Sequence, residues 1–174
     1  MMNATVGRVI HVIQGEHAIE DRSDVVLTTV LGSCVSACIM DLDRGIGGLN
    51  HFLLPDEGCG GPDMRHAAAA MEVLVNGLMR RGAVRSRLRA KLFGGARMMA
   101  GLPDIGQRNA DAARRFLQDE GIPVIASDLC GTQARRIRFS PVAGRVQVHL
   151  LGKARVVSRE QPMLQRGGEI ELFS

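Results

Sequence analysis

A β-hairpin is predicted over residues 34–54, and it constrains the fold of this chain more than any other feature. Apolar residues alternate weakly over residues 34–40, residues 41–45 have the composition of a turn, and residues 46–54 return as a strand. If the connecting loop has four residues, the numbers of paired residues sum to 85 or 87. In either register Cys34 and His51 project from the same face, with about 5 to 8 Å between their β-carbons. The sequence therefore predicts that a thiol and an imidazole lie close together.

The rest of the chain predicts an α+β fold, with helices packed on a mixed or antiparallel sheet. Strands are predicted at Val9–Ile13, Asp24–Leu31, Leu88–Phe93, Pro123–Ser127, Arg136–Ser140 and Arg145–Leu151. One helix is predicted from Asp63, as its N-cap, to Gly82, and a second from Asp104 or Gly106 to Glu120. Residues 56–62 are expected to form a glycine-rich loop. We expect residues 1–174 to form one domain, with about 20 residues at the end as a loosely packed tail.

Composition excludes several classes of function. Of 174 residues, 45% are hydrophobic and 23% are charged, which is ordinary for a globular domain. With five Phe and no Trp or Tyr, the chain lacks the aromatic platforms that bind single-stranded nucleic acid, and a net charge of +4 does not demand such a partner. No stretch approaches the roughly 18 apolar residues of a membrane span. The start lacks the pattern of a signal peptide, so we expect a cytoplasmic protein with reduced cysteines.

Cys34 follows Gly32 and Ser33, where the preceding strand is predicted to end. A lone cysteine is most often a small buried apolar residue. The turn favours a different role, because free N–H groups at such a turn can stabilise a thiolate and later an oxyanion. The predicted neighbour His51 adds a base, so Cys34 is predicted to be a nucleophile, with Ser33 and Gly32 forming its oxyanion turn. The other three cysteines lack this support, and they are Cys38, Cys59 and Cys130.

His51 lies among apolar residues, where a histidine is more often structural than catalytic. Its predicted position beside Cys34 favours a general base. A base of this kind is held in its useful tautomer by a third group. No carboxylate is obviously placed for this, whereas Thr28 and Thr29 lie on the strand before the turn. Their side chains point to opposite faces, so only one of them can face the site.

Metal and nucleotide sites are weakly supported. A zinc site from His51, Cys59 and His66 would have unusual spacings, and the motifs of nucleotide-binding loops are absent around Gly94-Gly95. We therefore predict no cofactor and no metal. Seven positive charges and no acid occur over residues 80–97, which indicates either a solvated surface or a docking patch for an acidic protein.

Several blocks of this sequence resemble the CheD family of chemoreceptor glutamine deamidases, from about Gly7 to about Val148. The blocks are Leu31-Gly32-Ser33-Cys34-Val35, Gly48-Leu49-Asn50-His51-Phe52-Leu53-Leu54-Pro55, Ala70-Met71-Glu72, Lys91-Leu92-Phe93-Gly94-Gly95-Ala96, Ile105-Gly106-Gln107-Arg108-Asn109 and the segment Asp128 to Pro141. The chain departs from the family pattern at Cys130 and Ala134, where glycine is usual, and after Arg65, where an aromatic residue is usual.

The resemblance implies a fold like that of the cytotoxic necrotizing factor-type cysteine hydrolases. It implies hydrolysis of chemoreceptor glutamine side chains to glutamate, with release of ammonia. The family's cysteine and histidine correspond to Cys34 and His51, and its threonine, six residues before the cysteine, corresponds to Thr28. The expected partners are cytoplasmic helices of chemoreceptors and a CheC-type phosphatase. Two other functions stay open: a cysteine amidase or peptidase with another substrate, and a non-catalytic regulatory module that binds receptors or the phosphatase.

Overall fold

The computed structural model describes residues 7–54, 61–152 and 170–173. The strands of these residues are β1 (Arg8–His11), β2 (His17–Glu20), β3 (Val25–Leu31), β4 (Val35–Asp41), β5 (Ile46–Asn50), β6 (Arg89–Gly94), β7 (Val124–Leu129), β8 (Arg135–Ser140), β9 (Arg145–Leu150) and β10 (Ile170–Phe173). The helices are α1 (Gly61–Arg80) and α2 (Ile105–Asp119), with a short 3-10 turn at Arg85–Arg87.

The strands form two mixed sheets. The outer sheet has the order β1-β3-β8-β9-β10, and the inner sheet has the order β2-β5-β4-β6-β7. The pairs β1–β3 and β6–β7 are parallel, and the remaining pairs are antiparallel. The α+β class is therefore confirmed, although the sheet is divided in two. The division occurs at residues 32–34, because β3 pairs within the outer sheet and β4 within the inner one.

Two apolar cores flank the inner sheet. Between the sheets, Leu27 and Phe139 of the outer sheet pack with Met40 and Phe93 of the inner sheet. On the opposite face of the inner sheet, side chains from both helices pack on β4, β5 and β6. All seven residues of β4 are buried, since apolar layers cover both of its faces. The inner sheet is thus the middle layer of three, and its side chains are fixed from both sides.

The helix boundaries agree with the sequence in part. The prediction of Asp63 as an N-cap is wrong, because α1 already includes Gly61. The end of α1 is as predicted: the N–H groups of Gly82 and Ala83 donate to the carbonyls of Met79 and Leu78, which closes the helix. At the start of α2 the Asp104 carboxylate accepts a hydrogen bond from the Gln107 N–H at 2.9 Å.

The strand predictions were less complete. Strand β2 was not predicted, because one exposed residue followed by three half-buried residues gives no clear alternation. Residues 55–60 of the predicted loop, Cys59 among them, lie outside the described residues. In the predicted tail, Ile170–Phe173 forms β10 beside β9. There the Phe173 ring contacts the Phe93 ring at 5.6 Å between centroids, and the buried Lys91 ammonium donates to the Phe173 carbonyl at 3.1 Å.

Cys130 has a backbone conformation that costs stability. Its φ of 70° lies in the left-handed region, which disfavours residues with a β-carbon. We expect Cys130→Gly to raise the free energy of unfolding by about 1 kcal/mol and the melting temperature by ~3 °C, measured by thermal unfolding. Cys130→Ala is the matched control, since it keeps the strain and loses the thiol contact to Gln107. A glycine variant that melts no higher than the wild type would contradict this expectation.

Candidate active site

Cys34 lies on the connection between the two sheets, directly after β3 and directly before β4. The carbonyls of this connection are held by three hydrogen bonds: Ala96 N–H to Gly32 at 2.9 Å, Gly95 N–H to Cys34 at 2.8 Å, and the Asn109 amide to Ser33 at 2.8 Å. The backbone N–H of Cys34 lowers the pKa of its own thiol. The three carbonyls of the turn are thus occupied by other donors, and an N–H group near the sulfur suits an oxyanion.

Gly94 allows this turn to pack closely. A β-carbon at Gly94 would lie 2.2 Å from the Cys34 carbonyl oxygen, and the φ of Gly94 is 104°. Any side chain at this position would push the turn away from β6. The block Phe93-Gly94-Gly95 thus supports the backbone of Cys34. The glycine pair has a structural role in the turn.

His51 lies on the same face of the hairpin as Cys34. Paired residues of β4 and β5 sum to 87, as in Cys38–Leu49, and an isolated bridge joins Val35 to Phe52 in the same register. Leu53 is therefore opposite Cys34, and His51 is its diagonal neighbour, for which the spacing between β-carbons is about 7 Å. Of the two registers that the sequence left open, the structure has the one in which paired numbers sum to 87, and it places the two residues on the same face.

Asn50 interrupts the ladder beside His51. Its side-chain oxygen accepts the hydrogen bond of the Ala37 N–H at 2.8 Å, a position that a strand carbonyl would normally fill. Its own carbonyl accepts instead from the Ser36 hydroxyl. The His51 N–H continues the β2–β5 register and donates to the carbonyl of Glu16 at 3.1 Å, in the segment that leads into β2. The side chain of Asn50 thus holds β4, and the backbone of His51 holds the segment before β2.

The imidazole of His51 is held by Thr29. The Thr29 hydroxyl oxygen lies 2.8 Å from Nδ1 and donates its proton to the Val12 carbonyl at 2.6 Å. Since the hydroxyl has one proton, it can only accept from Nδ1, which must therefore carry the ring proton. The Val12 carbonyl, 3.4 Å from Nδ1, favours the same tautomer. Nε2 is left as the basic nitrogen.

The expected contact between Thr28 and the imidazole is contradicted. The Thr28 hydroxyl donates to the Ile137 carbonyl of β8 at 2.7 Å. Along β3 the side chains alternate, and Leu27 and Leu31 point into the core between the sheets. Thr29 shares their face, and Thr28 does not. A spacing of six residues before Cys34 selects Thr28, and the side chain of Thr28 points away from the imidazole of His51.

Burial shifts the pKa of both Cys34 and His51. Desolvation raises the pKa of the Cys34 thiol above its ordinary value of 9.0, although its own backbone N–H acts in the other direction. Desolvation likewise lowers the pKa of His51 below 6.5, against the effect of the Val12 carbonyl. Near neutral pH the pair is therefore a thiol and a neutral imidazole. The imidazole is in the form that can accept a proton.

Asn109 joins the two halves of the site, and sequence reasoning did not assign it a role. Its side-chain oxygen accepts from the Leu54 N–H at 2.9 Å while its amide donates to the Ser33 carbonyl. The residue is fully buried on α2. It connects the turn of Cys34 to the segment that follows His51, so it fixes their relative position. The sequence signal that could have identified Asn109 is its position as a polar residue on the apolar face of α2.

The basic segment over residues 80–97 is mostly engaged in structural contacts. Arg81, Arg85 and Arg87 form ion pairs with acidic partners elsewhere in the chain. Lys91 is buried, and its ammonium also donates to the Gly144 carbonyl at 2.7 Å. Contacts within this chain therefore explain four of the seven positive charges, and these four do not require a separate acidic protein as partner. The ion-pair partners are Asp21, Glu120 and Asp41.

Among the residues that the structure describes, no group of three or more His, Cys, Asp or Glu side chains is arranged to hold a metal ion. Cys38 is fully buried between the sheets. Neither of the described helices combines the length and hydropathy that crossing a lipid bilayer requires.

Comparison with known proteins gives a consistent result. The family model CheD, described as CheD chemotactic sensory transduction, matches residues 53–150. A protein of Caulobacter vibrioides named "Probable chemoreceptor glutamine deamidase CheD" is 54% identical over 82% of this chain and 78% of its own. A protein of the same name from Caulobacter sp. strain K31 is 48% identical over 94% of this chain and 92% of its own. Among solved structures, Neisseria meningitidis protein NMB0706 matches with a TM-score of 0.48 and 12% identity, over 76% of this chain and 75% of that chain.

Proposed function

This chain belongs to the CheD family, and on that premise we propose that it hydrolyses glutamine side chains of chemoreceptors to glutamate and releases ammonia. The observation that carries the proposal is the arrangement of Cys34 and His51 on one face of a hairpin, with Nδ1 of the ring held by Thr29. This arrangement supplies a nucleophile and a base whose free nitrogen is the one that can take a proton.

The proposed reaction has two halves. Nε2 of His51 takes the thiol proton as the Cys34 sulfur attacks the carboxamide carbon of a receptor glutamine. His51 then returns the proton to the leaving nitrogen, and ammonia departs from a γ-glutamyl thioester. In the second half His51 takes a proton from water, and the resulting hydroxide attacks the thioester. Glutamate is released and the thiol is restored, with no net oxidation or reduction.

The backbone around Cys34 supports the developing negative charge. When the sulfur attacks, the carboxamide oxygen becomes an oxyanion beside the turn. The N–H groups of Ser33 and Cys34 are the donors proposed for it, since within the described residues neither donates to a backbone carbonyl. One donor of this kind contributes about 3 kcal/mol to the transition state. The proposed steps use only groups of this chain and water.

The rim of the site favours a protein substrate over free glutamine. Leu53, opposite Cys34, is 37% exposed, and Met98, which packs over Gly32, is 40% exposed. Ile13 is 63% exposed beside the same site. Such an apolar rim suits the side chains of a receptor helix that surround the glutamine. The proposed location is the cytoplasm, because the proposed substrate segments are cytoplasmic helices.

The experiment that tests this function compares substrates. Purified protein is incubated with a chemoreceptor cytoplasmic fragment or with free glutamine, and ammonia is measured over time. We expect release from the fragment to exceed release from free glutamine at equal amide concentration. Equal or greater release from free glutamine would support the alternative of a small-molecule amidase. Absence of release from both would support the alternative of a regulatory module without catalysis.

A complex with a CheC-type phosphatase is also proposed, on the family resemblance alone. Mixing the two purified proteins should shift both to earlier elution in size-exclusion chromatography. Separate elution at concentrations of about 10 μM would contradict a complex of ordinary signalling affinity.

The raised pKa of Cys34 predicts how the thiol reacts with an alkylating agent, and the lowered pKa of His51 predicts the pH dependence of catalysis. Because the pKa of Cys34 lies above 9.0, its labelling by iodoacetamide should accelerate about tenfold per pH unit from neutral pH upwards. The pKa of His51 lies below 6.5, so the acid limb of kcat/KM should also have its midpoint below 6.5. Cys34→Ala identifies the labelled residue. A labelling rate that is already at its plateau near neutral pH would indicate a preformed thiolate and contradict this account.

A further inference from the structure

A tight turn places a glutamine of this chain beside Cys34. Residues 13–16 form the turn between β1 and β2, closed by the Glu16 N–H to the Ile13 carbonyl at 3.0 Å. Gly15 follows Gln14 with a φ of +88°, a conformation that glycine adopts without strain. Gln14 is exposed at the tip.

The same turn is attached to the backbone of His51. The Gly15 N–H donates to the His51 carbonyl at 2.8 Å, and the His51 N–H donates to the Glu16 carbonyl at 3.1 Å. Val12, just before the turn, accepts from Thr29. The position of Gln14 is therefore set by the elements that hold the base.

The side chain of Gln14 contacts the nucleophile directly. The Cys34 sulfur donates to the carboxamide oxygen of Gln14 at 3.8 Å. A carboxamide is the group that the proposed substrate presents, and the Gln14 carboxamide lies within contact distance of the thiol.

We propose that Gln14 is an intramolecular substrate of Cys34 and is converted to glutamate; this inference rests on the proposed function. The sulfur bonds to the carboxamide carbon, its proton passes by way of His51 to the leaving nitrogen, and ammonia departs. Water then cleaves the thioester: its hydroxyl bonds to the carbonyl carbon, and its remaining proton returns to the sulfur. The net reaction consumes one water and releases one ammonia for each chain.

The sequence permits an unambiguous test. Trypsin releases residues 9–22 as one peptide, in which Gln14 is the single glutamine and asparagine is absent. Its mass in the purified protein, followed over hours at 25 °C, should increase by about 1 Da in the wild type. Cys34→Ala should leave the peptide at least tenfold less modified, which excludes spontaneous deamidation. Cys130→Gly, which removes a different cysteine, should be modified like the wild type.

Two further arms separate the possible outcomes. Cys34→Ala protein labelled with nitrogen-15 and mixed with unlabelled wild-type enzyme should keep an unmodified heavy peptide, and modification of the heavy peptide would overturn the intramolecular assignment. Each preparation is also assayed on a chemoreceptor fragment. If the fragment is deamidated while the peptide of residues 9–22 keeps its mass, the inference about Gln14 is overturned and the proposed function stands. If neither is deamidated by the wild type, both are overturned.

Discussion

Cys34→Ala should abolish ammonia release from a chemoreceptor cytoplasmic fragment, with kcat/KM falling by roughly 10⁴-fold or more. The methyl group of alanine cannot attack the carboxamide. Of the two other described thiols, Cys38 is buried between the sheets, and the Cys130 thiol donates to the Gln107 side chain. The measurement is ammonia release at matched protein concentration, with thermal unfolding as the check on folding.

The variant should keep its fold. Cys34 is half-buried, and its turn is held by backbone hydrogen bonds from Gly95 and Ala96 that alanine retains. The melting temperature is therefore expected to stay within a few degrees of the wild type. Cys130→Gly serves as the active control that also lacks one cysteine. Retained ammonia release by Cys34→Ala would remove the basis for the proposed chemistry.

Thr29→Val should lower kcat by roughly 10- to 100-fold, which is the effect expected for a group that orients a base. Valine keeps the shape of threonine and removes the oxygen that accepts the Nδ1 proton of His51. The ring then loses the contact that selects its tautomer. Because this contact is lost, the acid limb of the pH profile should shift. Thr29→Ser should retain most of the activity, because serine keeps the hydroxyl.

Thr28→Val is a closely matched control. Each of the two valine variants loses one hydrogen bond from a buried hydroxyl to a carbonyl, at 2.7 Å for Thr28 and 2.6 Å for Thr29. The loss of this bond should cost about 1 kcal/mol in each variant, and Thr29→Val also loses the contact to Nδ1 of His51. Only Thr29→Val should change the pH profile and reduce kcat beyond about twofold. A larger catalytic loss in Thr28→Val than in Thr29→Val would reverse the assignment.

The hairpin was predictable because its register depends on local chemistry. A turn sequence of fixed length between two apolar runs leaves few pairings, and the side-chain period of two then fixes the faces. Cys34 and His51 were found in this way. Asp104 was also predictable, since a cap acts on residues three positions away.

The expected contact of Thr28 with the imidazole was wrong because a spacing was used without the alternation of the strand, and a catalytic role of Thr28 stays a prediction. Counting six residues before Cys34 gives Thr28, whereas the face that points between the sheets contains Thr29. The sequence had already implied that only one of them could face the site. The inward direction of Leu27 and Leu31 decides which one it is, and that became clear only with the second sheet in place.

Contacts between distant elements were not predictable from local patterns. Asn109 reaches Ser33 from a helix that is 76 residues further along the chain, so no short motif contains the pair. Gln14 lies on the turn that joins β1 of the outer sheet to β2 of the inner sheet, and Cys34 lies on another connection between the same two sheets. No local pattern shows that these two connections meet. The ion pairs of the basic segment were not predictable for a similar reason, since Arg87 pairs with the buried Asp41 of β4.

The most direct test of the central claim is residue-resolved mass spectrometry of a chemoreceptor cytoplasmic fragment. The fragment is incubated in parallel with wild-type protein, Cys34→Ala and His51→Ala, then digested. The account predicts gains of about 1 Da at a few discrete glutamines with the wild type and none with either variant. An unchanged fragment after incubation with the wild type, or equal gains with Cys34→Ala, would contradict it.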